Sequence, residues 1–188
     1  MNKTRNIYFT SDHHFGHENI IKFTNRPFGS VEEMDQELIK RWNSRVNKHD
    51  KVYHLGDFGL CKAERMRDIL EQLNGKIFLI RGNHEGAAQA NPNRFEWIKD
   101  YFELNVNDAN APNGKQKIML MHYAMRVWRS SFRGTWHLYG HSHGTLQDDP
   151  TMNSFDVGVD CHDFYPLTYD EVKSIMSKKI WEPPFKNK

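Results

Sequence analysis

The apolar positions of the chain switch repeatedly between a strand period and a helix period. Residues 6–12 (NIYFTSD) form a short β-branched and aromatic run that stops at an acid, which predicts a buried strand ending in a loop. A polar stretch with Asn25, Pro27 and Gly29 follows. Ser30 then stands as an N-cap, with Glu33 three residues on at capping-box spacing. Val31, Met34, Leu38, Trp42 and Val46 recur at helical spacing, so residues 31–47 are predicted to be an amphipathic helix. The pattern repeats. KVYHLGD (51–57) is a second strand ending in an acid. Met66, Ile69, Leu70 and Leu73 mark a second helix with Gly75 near its C-cap, and KIFLIR (76–81) is a third strand running into Gly82. A β-α-β-α-β order predicts parallel strands with right-handed crossovers. In open sheets of that kind ligands bind outside the C-terminal strand ends.

The second half is less regular. Phe95 and Ile98 predict a short helix around 94–101. LNVND (104–108) and KQKIMLMHY (115–123) flank the turn-rich ANAPNG, which predicts a hairpin or two neighbouring strands. TWHLYGHSH (135–143) and SFDVGVD (154–160) are further strands, and Thr168 caps a final helix with Glu171 at N3. The KNK tail is predicted to be loose. With no internal repeat, low-complexity tract or linker, one domain over residues 1–188 is the economical expectation.

Composition narrows the class. The 188 residues carry 26 Lys+Arg against 24 Asp+Glu, so neither a polybasic nucleic-acid arm nor an acidic tail dominates. A content of 38% hydrophobic and 13% aromatic residues is too core-forming for a disordered chain. No apolar run approaches the roughly 20 residues of a membrane helix. Asp12 arrives before a signal-peptide apolar region could form. Two cysteines, Cys61 and Cys161, cannot build a disulfide framework, so a cytoplasmic location is expected.

The unusual feature is 11 histidines. Five polar clusters fall at predicted strand ends: Asp12-His13-His14, Gly56-Asp57, Gly82-Asn83-His84-Glu85, His122, and Gly140-His141-Ser142-His143. Carboxylates and neutral imidazoles suit Zn²⁺, Mn²⁺, Fe or Ni²⁺. Asp12, His14, Asp57, Asn83, His122, His141 and His143 are too many ligands for one four-coordinate ion and suit two ions sharing a carboxylate. Such a pair activates water and stabilises an in-line displacement at phosphorus. On an extended backbone Asp12 and His14, two apart, point to one side, as do His141 and His143.

The order D-x-H, G-D, G-N-H-E, a lone H and G-H-S-H resembles the calcineurin-like metallophosphoesterases, from Asp12 to His143. HFGHENII, RPF and HYAMR resemble a small bacterial and phage branch of that family. The resemblance implies an α/β fold, a sandwich of mixed sheets flanked by helices, with the metal site at the strand C-terminal ends. It implies one ion held by Asp12, His14 and His143, a second by Asn83, His122 and His141, and Asp57 bridging them. It further implies attack on phosphorus by a metal-bound hydroxide, with His84 contacting the phosphate or protonating the leaving alkoxide. Glu85, where many relatives have Asp, is expected to orient His84, and His13 to be a neutral variation. The two divalent ions are expected to be Mn²⁺ first, with Fe, Zn²⁺ or Ni²⁺ as alternatives.

The remaining histidines divide. His54 and His137 alternate with apolar neighbours and are expected in the core or on a sheet face, and His49 is expected at the surface. His17, in the loop of His14, and His162, at a strand end, are candidates to line the cleft. Arg126, Arg129 and Arg133 would share one face if residues 126–133 were helical, where an Arg fork could grip a substrate phosphate; a solvated face is the competing reading. Trp128 and Phe132 are expected to pack rather than stack on a base. The expected activity is hydrolysis of a phosphate ester, a small phosphodiester or nucleotide-like substrate before a phosphomonoester. The alternatives are a nuclease acting on RNA or DNA, which the balanced charge disfavours, and a non-catalytic metal-binding scaffold.

Overall fold

A computed structural model describes residues 5–183. Four parallel strands build the first sheet: β1 (Ile7–Thr10), β2 (Lys51–His54), β3 (Lys76–Ile80) and β4 (Phe95–Lys99). A short antiparallel strand, β9 (Leu167–Thr168), completes it in the order β4-β3-β2-β1-β9. The second sheet has the order β5-β6-β7-β8, from β5 (Tyr101–Asn107), β6 (Lys115–Met121), β7 (Trp136–Tyr139) and β8 (Ser154–Asp156). Its β5–β6 pair is the expected hairpin, antiparallel, and the other pairs are parallel. Among the described residues five α-helices accompany the sheets: α1 (Glu18–Phe23), α2 (Val31–Arg45), α3 (Ala63–Gln72), α4 (Gly86–Gln89) and α5 (Tyr169–Met176). The fold is thus α/β, two mixed sheets with flanking helices.

Register explains the two cores. Side chains of a strand alternate between faces, and partners in parallel register share a face. Phe9, Tyr53, Phe78 and Trp97 are successive register partners. Their rings lie 5.8, 4.8 and 5.4 Å apart. This row meets Leu104, Ile118, Leu120 and Leu138 of the second sheet. The opposite row, Tyr8, Val52 and Ile77, packs under Leu38 and Trp42 of α2 and Met66 and Leu70 of α3. Helices α2 and α5 begin as the sequence predicts. The Ser30 hydroxyl accepts from the Glu33 amide at 3.1 Å, and Thr168 and Glu171 form a complete capping box on α5. His54 and His137 are fully buried and His49 is exposed.

Three local readings are corrected. Residues 95–99 are a strand, not a helix: β4 pairs in parallel with β3, and Phe95 fits the helix-side core while Trp97 joins the aromatic row. The neighbouring strand supplies backbone partners that outweigh the local i, i+3 spacing. Residues 18–23, within the predicted polar loop, form α1, which buries Ile20. Residues 126–133 do not form an α-helix; they run through turns into a 3₁₀ segment, Ser131–Arg133, bounded by left-handed Ser130 and Gly134. The KNK tail lies outside the described residues.

Trp42 is wholly buried, and its Nε1 donates to the Asn74 carbonyl at 2.9 Å. Trp42→Ala is expected to lower the unfolding free energy by about 3–5 kcal/mol, measured by urea denaturation; a loss below about 1 kcal/mol would contradict this packing.

Candidate metal centre

The loops after β1, β2, β3, β6 and β7 leave the C-terminal ends of strands from both sheets and meet between them. They carry Asp12 and His14, Asp57, Asn83, His122, and His141 and His143 respectively. The ligand atoms of Asp12, His14 and His143 lie within 4.8 Å of one another, and so do those of Asp57, His122 and His141. Asp57 faces both groups: its Oδ2 is 3.4 Å from His14 Nε2 and its Oδ1 is 3.6 Å from His122 Nε2. Asn83 Oδ1 lies 3.2 Å from the same His122 nitrogen.

The backbone achieves this by left-handed turns, not by extended strands. Asp12, His14, Asp57, His141 and His143 all have positive φ, between 47° and 71°. The expectation that strand alternation aligns Asp12 with His14, and His141 with His143, is therefore corrected. Non-glycine residues in this region each carry strain of about 1–3 kcal/mol and need the surroundings to hold them. The hold is visible. Asp12 and His14 amides donate to the Gly56 and Asp57 carbonyls at 2.9 and 3.1 Å. The His141 amide donates to Asp12 Oδ2 at 2.9 Å and the His84 amide to Asp57 Oδ1 at 2.9 Å. Two glycines allow this approach. A Cβ at Gly82 would strike Asp57 Oδ1, and one at Gly140 would strike Ser11 and Asp12.

The electrostatics suit cations. Burial pushes the Asp12 carboxyl well up, and nearby Asp156 and Asp57 push the same way. Burial lowers His14 to about 2, with His143 and Arg26 adding repulsion, and burial also lowers His122. These imidazoles are neutral at pH 7, the form that coordinates a metal. His122 Nδ1 lies 2.7 Å from the Leu55 carbonyl and donates to it, which leaves its Nε2 lone pair facing Asp57 and Asn83. His14 Nε2 is buried and has no hydrogen-bond partner. Carboxylate, imidazole and amide oxygen donors around orphaned lone pairs fit divalent ions of the Mn²⁺ to Zn²⁺ series.

Around this cluster the other expected residues take varied places. The His84 ring is half-buried, 5.5 Å from the His14 ring and 5.9 Å from His17. His17 Nδ1 lies 3.3 Å from His14 Nδ1, so it supports a cluster residue as well as bordering the cleft. Glu85 does not touch His84 through a hydrogen bond. It accepts from the Phe58 and Gly82 amides at 3.3 and 3.1 Å and so ties two of the loops together, with burial raising its carboxyl to about 8. His162 Nε2 binds the Asp156 carbonyl at 2.8 Å, and its ring meets Phe155 edge-on. Arg129 is exposed and pairs with Glu103 at 3.0 Å, while Arg126 borders a separate pocket of about 170 Å³ with Trp128 and Phe132. The shared Arg face thus disappears with the helix that would have made it. Trp128 is buried as expected, and Phe132 is partly exposed. His13 is no idle variation: it is fully buried, 3.0 Å from His54 and stacked on Phe15.

Sequence reasoning passed over Tyr123, whose ring lies 4.8 Å from both His122 and His141, and Asp160, which accepts from His143 Nδ1 at 2.7 Å. Asp160 had a signal, an acid closing the last apolar run as Asp12 and Asp57 close theirs.

Residues 6–152 match the calcineurin-like phosphoesterase superfamily domain, and the chain belongs to that family, metal-dependent hydrolases of phosphate esters. Among its relatives is an uncharacterised protein of Methanocaldococcus jannaschii, 39% identical over 181 residues and covering 93% of each chain. The Gene 66 proteins of Mycobacterium phages L5 and D29 are each 27% identical, covering 75% and 92% of this chain and 79% and 96% of their own. The crystal structure of a protein of unknown function from Aquifex aeolicus superposes with a TM-score of 0.68 at 23% identity, over 92% of this chain and all of that one; it shares the fold.

Burial also lowers His13, His17, His54 and, to about 4, His137. Unfolded, histidines titrate near 6.5. Below that pH the unfolded chain takes up protons that these six folded histidines refuse, so stability is lost as pH falls. Asp12, Asp35 and Glu85, raised by burial, act in the opposite direction, three against six. The metal-free protein is therefore expected to melt at a lower temperature at pH 5 than at pH 7 by thermal scanning; equal or higher melting at pH 5 would contradict it.

Proposed function

We propose that the chain, as one domain spanning residues 1–188, hydrolyses a phosphate ester at a centre of two divalent ions. The observation that carries this reading is Asp57, with one carboxylate oxygen turned to His14 and the other to His122. Asp12, His14 and His143 would hold the first ion, Asn83, His122 and His141 the second, and Asp57 both. Such ions, when bound, lower the pKa of water and neutralise charge on the transferring phosphoryl group. Mn²⁺ is the first choice, with Fe, Zn²⁺ or Ni²⁺ as alternatives, since this donor set accepts several.

The protein's own groups do the rest. The His84 amide braces Asp57, and its half-buried ring sits at the mouth beside His14 and His17. From there the His84 ring would hand a proton to the leaving oxygen as a water oxygen replaces it on phosphorus, so a diester would give a phosphate monoester and a neutral alcohol. A small phosphodiester or nucleotide-like substrate is favoured over a phosphomonoester, because the mouth carries flat rings as well as imidazoles. Tyr123 stands beside His122 and His141, and Phe23 stands edge-on to His17. Among the described residues no helix is long and apolar enough to cross a membrane; a cytoplasmic enzyme is the corresponding proposal.

The test is a panel on Mn²⁺-reconstituted protein: p-nitrophenyl phosphate, its bis ester, and 2′,3′- and 3′,5′-cyclic nucleotides. Turnover of at least one ester is expected, abolished by Asp57→Ala; turnover of none would refute the reading. His84→Ala is expected to lower kcat about 10²- to 10⁴-fold for an alkyl leaving group and less for p-nitrophenolate, which needs no proton. Equal losses on both would remove His84 from the proton-donor role. Arg129→Ala is expected to leave KM unchanged, since that guanidinium is committed to Glu103 at the surface.

A further inference from the structure

We propose that Asp160 and Arg26 form a positioning pair for the first ion group, so that cation affinity there depends on them while affinity at the second group does not. The proposal rests on the reading of the two groups as ion sites. Asp160 is the junction. Its Oδ2 accepts from His143 Nδ1 at 2.7 Å and from Arg26 Nη2 at 2.8 Å, and its Oδ1 accepts from Arg26 Nε at 2.8 Å. The Arg26–carboxylate contact is a two-pronged fork, the geometry that fixes both partners in orientation. The same guanidinium, wholly buried, donates from Nη2 to the Asp12 carbonyl at 2.7 Å and from Nη1 to the His13 carbonyl at 2.8 Å.

One buried cation therefore grips every member of the first group. It holds the backbone of Asp12, the peptide leading into His14 and, through Asp160, the ring of His143. These are three residues in left-handed conformations that do not hold themselves. An ionised carboxylate only accepts hydrogen bonds, so His143 Nδ1 carries the proton and Nε2 keeps its lone pair for a cation. No hydrogen bond of this pair reaches Asp57, Asn83, His122 or His141. The second group has its own support, the Leu55 carbonyl on His122. Residue 26 lies in the loop between α1 and α2, and residue 160 in the 3₁₀ turn after β8. The first ion site is thus stabilised from both ends of the chain.

Replacing an outer-sphere partner of a metal-binding histidine typically weakens affinity about 10- to 100-fold. The experiment is calorimetric titration of the full, chelator-stripped chain with Mn²⁺, for the wild type, Asp160→Ala and Asp160→Asn, with electron paramagnetic resonance at one and two equivalents. The wild type is expected to bind two ions that give a coupled-pair spectrum. Asp160→Ala is expected to bind one ion with wild-type affinity and the other about 10- to 100-fold more weakly, showing isolated Mn²⁺ at one equivalent. Asp160→Asn keeps the side-chain volume and one acceptor oxygen. It is expected to fall between the two, and it carries the test if Asp160→Ala fails to fold. Two ions bound with wild-type affinities in both variants, or both ions weakened equally, would overturn the proposal. A wild-type chain that binds no Mn²⁺ would overturn the reading of the two groups as ion sites itself.

Discussion

Two buried carboxylates and several buried neutral imidazoles, brought together beside an Arg26 guanidinium that bonds to backbone carbonyls and to Asp160 instead of to either carboxylate, set the terms for the rest of the molecule. Removing a carboxylate from water is costly unless something positive or hydrogen-bonding replaces the water. Asp57 receives an amide from His84, and Asp12 receives one from His141. The lone pairs of His14 and His122 converge on the space between the two groups. Two sheets were needed to create that space. The first brings Asp12, Asp57 and Asn83 at the ends of adjacent parallel strands, and the second brings His122 and His141.

The layers behind the centre are built to keep these loops from relaxing. Gly56 donates its amide to His54 Nδ1 at 3.3 Å, so His54 offers Nε2–H to His13 Nδ1 at 3.0 Å. That places the His13–His54 link across the turns that carry Asp12 and Asp57, sandwiched between Phe15, Phe58 and Trp42. On the other sheet His137 accepts from the Met125 amide at 3.1 Å, which anchors the chain just beyond His122. Histidines that do no chemistry thus act as neutral hydrogen-bonding links, which burial keeps unprotonated. Strain in the five left-handed residues is tolerated because each is tied to another loop: Asp12 to Gly56, His14 to Asp57, Asp57 to His84, His141 to Asp12 and His143 to Asp160.

Much of the fold could be read from alternation alone. The runs at 6–12, 51–57 and 76–81 became β1, β2 and β3 because each is short, β-branched or aromatic and bounded by turn residues. Ser30 and Thr168 announced their helices because a capping side chain satisfies local amides whatever lies beyond. Residues 95–99 misled because Phe95 and Ile98 fit a helix equally well, and only the exposed edge of β3 decides for a strand. Arg126, Arg129 and Arg133 misled in the same way: their spacing has meaning only if the segment is helical, and Gly134 and left-handed Ser130 bend it into turns.

The sequence by itself determined which residue types would gather. Five ordered blocks of Asp, Asn and His at strand ends define the chemistry and the family, because donor identity is a property of each residue. What only the tertiary structure decided is how those donors divide and what holds them. Asp57 faces two groups, Glu85 ties loops together instead of orienting His84, and Asp160 with Arg26 fixes His143 across 134 residues of chain. These depend on backbone turns with positive φ and on contacts between segments distant in sequence. No local pattern of hydrophobic and polar positions encodes such contacts.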